Sequence, residues 1–419
     1  MASSWRRCDM DAIVENCCGL DVHQKTVVAC VIITGERRRA KREVRTFRTV
    51  MKDLLALRDW LASLGVTHVG MESTGVYWVP VFRVLEGRFE LVVGNATHIK
   101  NVPGRKTDVK DSEWIADLVR HGLIRRSFVP PPAIRELRDL TRYRRKLVQD
   151  QSRERNRIQK LLETANIKLK NVASDVFGAS GRAMLRAIVD GVDDPTALAR
   201  MAKGVLRNKI PELIDALEGR CEAHHRLLLA LELRHLEEIE RTIAELDTYI
   251  DAKLAPYESE IALLVGIPGV NRVLAASLIA ELGADMSIFP SVRHCAAWAG
   301  ICPGNNESGG KRRHAGTRKG NVHLVTTLVQ AATGAKRTRN CYYRDKFWRL
   351  RARRGDMRAT VAIAHKILVA VFHMLRDRVP FKELGPDYLA KRNDARAALG
   401  LVRRLEAAGF LVKLERPPT

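Results

Sequence analysis

Four acidic side chains carry the clearest chemical signal in this chain: Asp21, Glu72, Asp108 and Asp111. Asp21 lies in Gly19-Leu-Asp-Val22, which with Thr26–Ile32 otherwise reads as buried strand, and Glu72 ends a second such run that starts at Val66. Asp108 and Asp111 are expected to open an amphipathic helix, where their i, i+3 spacing would put both on one face. A carboxylate inside or at the end of a core strand is costly to desolvate unless it is paired or holds a cation. Four converging carboxylates would make a hard, all-oxygen site suited to Mg²⁺ or Mn²⁺. In a chain of formal net charge +24 and pI about 10.1, the matching substrate is a nucleic-acid phosphodiester.

A second reactive candidate is Ser308, in Gly300-Ile-Cys-Pro-Gly-Asn-Asn-Glu-Ser-Gly-Gly-Lys-Arg-Arg-His314. Gly309 and Gly310 let backbone approach a phosphate closely, and Lys311, Arg312 and Arg313 would neutralise a pentavalent transition state. Arg318 and Lys319 extend the clamp. A serine so placed can act as a nucleophile if a base or metal helps remove its proton. The residues alone favour the plainer reading, a Ser-Gly-Gly turn flanked by DNA-contacting basic residues.

Three segments must position these groups. Residues 17–130 interleave strands and helices, which makes an α/β domain around a sheet, closed by Pro130-Pro-Pro132. Within it, Glu43–Val50 alternates like a solvated strand, Lys52–Leu64 and Val79–Leu85 read as helices, and Phe89–Asn95 as a strand. Tyr77 is expected to pack in the core, and His23 and His98 to be satisfied structural histidines.

Residues 133–260 hold two long helical patterns, Ile134–Asn166 and Leu227–Leu254, separated by a looser stretch around Val172–Asp194. The seam Leu229, Leu233, Leu236, Ile239, Ile243, Leu246 and Ile250 suits an antiparallel coiled-coil arm that drives oligomerisation. An ordinary helical bundle fits it equally well.

Residues 261–385 form a mainly α-helical segment, and 386–419 a tail with one helix near Asp394–Ala408. Leu264–Gly283 reads as a helix-hairpin-helix whose turn, Gly266-Ile-Pro-Gly269-Val, can hold a DNA phosphate on backbone N–H groups. Any αα-turn also favours these residues. The window from Lys311 to Arg358 carries fifteen Lys or Arg and two acidic residues, with Tyr342, Tyr343, Phe347 and Trp348 interleaved. Aromatics among such charge suit stacking on bases.

The eight cysteines show no Cys-x-x-Cys, and no histidine pair has zinc-finger spacing, so reduced, mostly buried thiols are expected. No apolar run reaches the ~18 residues of a membrane span, and the first residues lack a signal-peptide core. The expectation is a cytoplasmic, nucleoid-associated protein without membrane contact.

The motifs Gly-Leu-Asp21-Val-His, Met-Glu72-Ser-Thr-Gly-Val-Tyr and Lys-Thr-Asp108-Val-Lys-Asp111 resemble the N-terminal DEDD domain of the IS-one-ten / IS-eleven-eleven transposases. That domain is similar to the RuvC resolvases and so to the RNase H fold. Gly266-Ile-Pro-Gly-Val, Ala297-Trp-Ala-Gly-Ile-Cys-Pro-Gly and Glu307-Ser308-Gly-Gly-Lys-Arg-Arg resemble the C-terminal transposase domain of the same family. Two motif sets in the right order make the resemblance specific, and it spans nearly the whole chain. It implies that the DEDD carboxylates bind divalent metal and that Ser308 attacks DNA to form a phosphoserine link. It also implies a structured bridge RNA that pairs with donor and target DNA. Dimers would meet as tetramers, one subunit's DEDD domain completing another's serine site.

Three functions follow for comparison. The first is a serine transposase or recombinase assisted by metal. The second is a RuvC-like nuclease or junction resolvase whose carboxylates activate water, leaving Ser308 structural. The third is a non-catalytic nucleic-acid-binding protein, against which carboxylates in core strands argue, because a pure binder gains nothing from anions beside phosphate.

Overall fold

A computed structural model of the chain describes residues 12–34, 40–102, 110–304, 307–312, 316–317 and 320–413. The chain divides into two compact units, Met1–Val129 and Pro130–Thr419.

The first unit is built on a five-stranded mixed sheet. Its elements are β1 (Cys17–Val22), β2 (Thr26–Thr34), β3 (Ala40–Arg48), α1 (Met51–Ser63), β4 (His68–Glu72), α2 (Trp78–Leu85), β5 (Glu90–Gly94), α3 (Ala96–Lys100) and α4 (Asp111–Arg120). The strand order is β3-β2-β1-β4-β5, with β1, β2 and β3 antiparallel and β1, β4 and β5 parallel. Leu20, Val69 and Met71 pack with α1 and α2 on one face, while Cys17, Ile32 and Val92 pack with Ile115, Leu118 and Val119 of α4 on the other. A sheet covered on both sides explains why β1 and β2 read as near-continuous apolar runs. The edge strand β3 is exposed and charged, which discourages pairing with another chain.

Glycines set how closely α4 lies on the sheet. Gly19 and Gly70 are cross-strand neighbours of β1 and β4. A Cβ on Gly19 would lie 2.2 Å from the Ala116 amide nitrogen and 2.3 Å from the Ser112 carbonyl oxygen, and one on Gly70 would meet Val119 at 2.2 Å. Glycine at position 19 lets the helix backbone seat on the strand, and glycine at position 70 leaves room for the Val119 side chain.

Among its described residues, the second unit is helical apart from one small hairpin and an isolated bridge. α5 (Pro132–Thr164) is a single helix of 33 residues, about 50 Å long, started by proline at its first position. α6 (Leu169–Val172), α7 (Ala179–Val189), α8 (Pro195–Ala199) and α9 (Ile210–Leu217) follow, and α10 (Ala223–Leu254) runs back along α5. Glu136 with Lys253, Arg144 with Asp247 and Arg155 with Glu240 fix the antiparallel register. The arm's seam is buried at Leu229, Leu233, Leu236, Ile239 and Ile250, and only half-buried at Ile243 and Leu246.

The stretch expected to be loose, Val172–Asp194, includes the whole of α7. Short helices α6 to α9 share a core with the ends of the arm, through Ile158, Leu162, Leu185, Leu213 and Leu233. Gly, Pro and Asp residues break these helices often enough to hide their periodicity from sequence.

Next come α11 (Glu258–Val265), α12 (Arg272–Leu282), α13 (Val292–Ala299), β6 (Glu307–Ser308), β7 (Lys311–Arg312), α14 (Val322–Ala335), α15 (Tyr342–Arg354), α16 (Asp356–Asp377) and α17 (Tyr388–Ala407). α16 is long and apolar enough by length and composition to cross a bilayer, contrary to the reading that no run qualifies. Its residues Ile363, Ala364, Ile367, Leu368, Val371 and Phe372 are instead buried within this unit, as in the core helix of a globular domain.

A carboxylate tie holds the base of the arm. Glu281, at the end of α12 and 2 % exposed, accepts hydrogen bonds from Arg142 of α5 and from Asn321, the N-cap of α14. Arg138 adds a third contact, to the Ala280 and Glu281 carbonyls and, at 3.4 Å, to the carboxylate. Burial pushes the Glu281 pKa up, but these hydrogen bonds and the charges of Arg142 and Arg138 outweigh it and leave the carboxyl below its ordinary value.

Candidate active site

The parallel pairing of β1 with β4 runs from Cys17 opposite His68 to Leu20 opposite Met71. One step further along that register, Asp21 and Glu72 become neighbours at the carboxyl ends of the two strands. Side chains alternate faces along a strand. Leu20 and Met71 enter the core with α1, so Asp21 and Glu72 point to the opposite face, the one α4 covers.

Helix α4 runs antiparallel to β1. Its Ser112 and Ala116 lie over Gly19, the Cys17 thiol donates to the Ala116 carbonyl, and the backbone just before β1 reaches Arg120 at the helix end. The N-terminus of α4, with Asp111 as its first residue, therefore lies toward the strand ends that carry Asp21 and Glu72. Three carboxylates from three elements are directed to one end of the sheet.

Lys110 is extended, with φ −60° and ψ 146°, so α4 begins at Asp111. The helix face that Asp108 is expected to share with Asp111 falls outside the described residues, in which α4 starts at Asp111. Asp108 itself lies outside the described residues.

Asp21 is half-buried and accepts or shares a hydrogen bond with His23 Nε2 at 3.1 Å. Thr74 donates to Glu72. Beyond Glu72 the loop exposes Val76 and Tyr77, the latter at 43 %, so Tyr77 is a surface residue rather than part of the core. His98 Nδ1 and the Ser112 hydroxyl are buried without a hydrogen-bond partner. The satisfied role expected of His98 is thus not met at that nitrogen.

Among the described residues, the side chains whose possible ligand atoms already lie within 4.8 Å of one another are Glu222, His224 and His225, at the start of α10. Asp21, Glu72 and Asp111 do not form such a cluster. Their all-oxygen character, with the orphaned Ser112 hydroxyl in the helix that carries Asp111, fits a hard divalent cation.

In the second unit, Ser308 pairs through its backbone with Lys311 across the Gly309-Gly310 turn, where both glycines have positive φ. Gly309, Gly310 and Lys311 are exposed. Arg313, Arg318 and Lys319 lie outside the described residues. The Gly266–Val270 turn joins α11 to α12, as a helix-turn-helix. Gly269 lies with φ +85° against α14, where a Cβ would be 2.3 Å from the Ala331 carbonyl oxygen and the Ala335 nitrogen. Gly266 is exposed.

The aromatics of the basic window divide. Tyr343 and Phe347 are buried, since their i, i+4 spacing aims both at the core, while Trp348 is exposed with the Arg351 guanidinium 4.7 Å from its ring centre. The four do not form one stacking surface. A basic groove of about 510 Å³, which sequence reading did not find, lies between α5 and α14. Arg142, Tyr143, Arg145, Lys146 and Arg153 line it, with Arg145 donating to the His323 carbonyl at 2.8 Å. Its residues come from segments far apart in sequence, so no local motif announces it.

Comparison with known proteins places these features in a context. Residues 18–167 match the family model of a DEDD transposase domain of the IS110 type, described as a transposase. Residues 261–349 match the model described as the transposase IS116/IS110/IS902 family. The two matches together take in more than half of the chain. A probable family 20 transposase from Pseudomonas aeruginosa is 24% identical over 286 residues, covering 67% of this chain and 75% of the relative. A protein of Streptomyces coelicolor named "Mini-circle putative transposase for IS117" is 29% identical over 191 residues, or 43% of this chain and 42% of that protein.

Proposed function

From the membership of this chain in the IS116/IS110/IS902 family of DNA transposases, to which it belongs, we propose that it cuts and rejoins DNA strands through Ser308, assisted by the carboxylates of an RNase H-like, RuvC-like first unit. The observation that carries this reading is the antiparallel seating of α4 across Gly19 and Gly70, which directs Asp111 to the strand ends of Asp21 and Glu72. The β3-β2-β1-β4-β5 order, with its antiparallel and parallel halves, supports the RNase H-like assignment.

Asp21, Glu72, Asp108 and Asp111 are the residues that would hold Mg²⁺ or Mn²⁺. When bound, such an ion supplies charge neutralisation at the phosphate and a lowered pKa for an attacking hydroxyl. The Ser308 oxygen attacks phosphorus, forming a serine–phosphate bond as the bond to the departing sugar oxygen breaks and that oxygen takes up a proton. Attack by a hydroxyl of another strand reverses the chemistry, returns the proton to Ser308 and joins new partners. The phosphodiester is conserved throughout, so neither water nor ATP is consumed. Gly309 and Gly310 admit the backbone to the phosphate, and Lys311, Arg312 and Arg313, with Arg318 and Lys319, neutralise it. The Gly266–Gly269 turn contributes a further backbone contact to DNA.

Donor and target DNA are the substrates, and a structured bridge RNA selects them. The basic groove between α5 and α14 supports binding of polyanions by shape and charge. Dimers meet as tetramers in this reading, and Leu227, Leu228 and Leu231, exposed on α10, support contact between subunits. The protein acts in the cytoplasm, at the nucleoid.

Trapping tests the serine. A suicide DNA substrate should leave DNA attached to the wild-type protein and none on Ser308→Ala. Normal cutting and joining by Ser308→Ala would end the serine mechanism in favour of water activation by the first unit alone. Asp21→Asn removes activity under both readings and does not separate them.

A further inference from the structure

A concavity of about 760 Å³ lies between α15, α16 and the two chain segments that lead into the Ser308 hairpin. Pro303 and Thr317 form a bridge on one wall, and the Gly304 amide donates to the Gly316 carbonyl at 2.9 Å. Ser308 is four residues beyond Gly304, so its Cα lies within about 14 Å of that rung. The hairpin thus lies within reach of the concavity along the chain.

The chemistry of the lining is mixed in a particular way. Ile301, Leu350 and Val361 give it an apolar interior, while Lys346, Arg354, Arg358 and Lys366 supply four cations, and among the described lining residues there is no carboxylate. Met357 is 80 % exposed, at the mouth of a strongly basic surface, where a large apolar side chain gains nothing from water. His365 also lines the space, and burial, then the neighbouring Lys366, hold its imidazole below its ordinary pKa. At neutral pH it is an uncharged ring with one donor and one acceptor.

A surface that only follows a DNA backbone needs exposed cations along a groove; it has no use for an apolar hollow. Duplex DNA is too wide to enter one. The volume lies in the ~300–1,000 Å³ range of pockets that enclose small organic ligands. A single nucleotide turned out of its stack has the matching character: a flat base to be desolvated on apolar walls, and phosphates on both sides to meet the cations.

We propose that this concavity receives one DNA nucleotide, extruded from the strand beside the phosphate that Ser308 attacks. Extrusion would open the backbone at the cleaved bond and let the protein itself sense the base there. Placement beside the cleaved bond rests on the reading of Ser308 as nucleophile; the capture of a base does not.

The test uses full-length protein carrying Ser308→Ala, in EDTA, so that binding is measured without chemistry. The probe is a DNA duplex with one bulged 2-aminopurine, compared with the same duplex whose bulge is an abasic tetrahydrofuran residue. The protein should bind the base-bearing probe about tenfold more tightly than the abasic one, with a change in 2-aminopurine fluorescence. Val361→Trp, which fills the hollow, should erase the difference and leave affinity for the abasic probe unchanged. Met357→Ala, at an exposed position that threatens no core, should reduce the difference. Equal binding of the two probes, or a difference that survives Val361→Trp, would overturn the proposal. Tighter binding of the matching RNA bulge would overturn the assignment to DNA. A change of oligomeric state in Val361→Trp without base discrimination would overturn it in favour of a protein segment as occupant. Because nothing is cleaved, failure here leaves the trapping experiment untouched, and failure of trapping leaves this result standing.

Discussion

Arg142 and Glu281 meet through two parallel hydrogen bonds of 2.8 Å each, Nε to one carboxylate oxygen and a terminal nitrogen to the other. The pair joins the arm helix α5 to the last turn of α12, and Asn321 connects the same carboxylate to the start of α14. Removing one partner of a buried pair strands the other's charge. Glu281→Ala should therefore lower the stability of the second unit by about 3–5 kcal/mol, measured by thermal or urea unfolding.

The same carboxylate sets a pH dependence. Its folded pKa is below the ordinary glutamate value of 4.5. The folded state thus releases the proton more readily than the unfolded chain. The contribution of Glu281 is complete above pH 4.5 and is lost as pH falls from there through the folded value. Wild-type protein should lose more melting temperature than Glu281→Gln across that acid range. Parallel curves for the two would show that the tie adds nothing to acid stability.

The glycine seat of α4 predicts graded damage. Gly19→Ala would place a methyl group on the backbone of Ala116 and Ser112, so a cost of at least ~3 kcal/mol is expected, at the upper end for overpacking. Gly70→Ala meets only the side chains of Val119 and Ile115, with Ile124 near contact distance, and should cost about 1–3 kcal/mol. Unfolding of the purified first unit's signal in each variant checks the order.

Phe347→Ala should destabilise by about 3–5 kcal/mol, because it opens a cavity in the core. Trp348→Ala, one residue later and exposed, should leave stability within about 0.5 kcal/mol. If Trp348 stacks on a base, single-strand binding weakens by about 1–3 kcal/mol in that variant alone.

Metal removal separates binding from chemistry. EDTA should abolish covalent capture of DNA, and Mg²⁺ or Mn²⁺ should restore it. Nucleic-acid affinity in EDTA should persist with a steep salt dependence. Lys146→Ala and Arg153→Ala, in the groove between α5 and α14, should each reduce the slope of log K against log salt by about 1.

Much of the first unit was legible because its strands are short apolar runs punctuated by polar residues, and because Asp21 and Glu72 break those runs where a core would not tolerate them. The helix carrying Asp111 was legible too, but not its start, since only the backbone angles of Lys110 decide that α4 opens one residue later. In the basic window, composition alone suggested a stacking surface; helical spacing, which buries Tyr343 and Phe347, tells otherwise. Glu281 left no trace in the sequence. It looks like any polar residue near a helix end, and its guanidinium partner is 139 residues away. Long-range pairing of this kind arises only when the elements are assembled.

The bare rung formed by Gly19 and Gly70 has a consequence for inheritance. Glycine codons tolerate change only at their last base, so every replacement at the first or second base installs a side chain or stops the chain. A mobile element carrying this gene is silenced through positions that touch neither DNA nor metal. Loss of mobility in old copies should therefore be found at these two codons as readily as at those of the carboxylates.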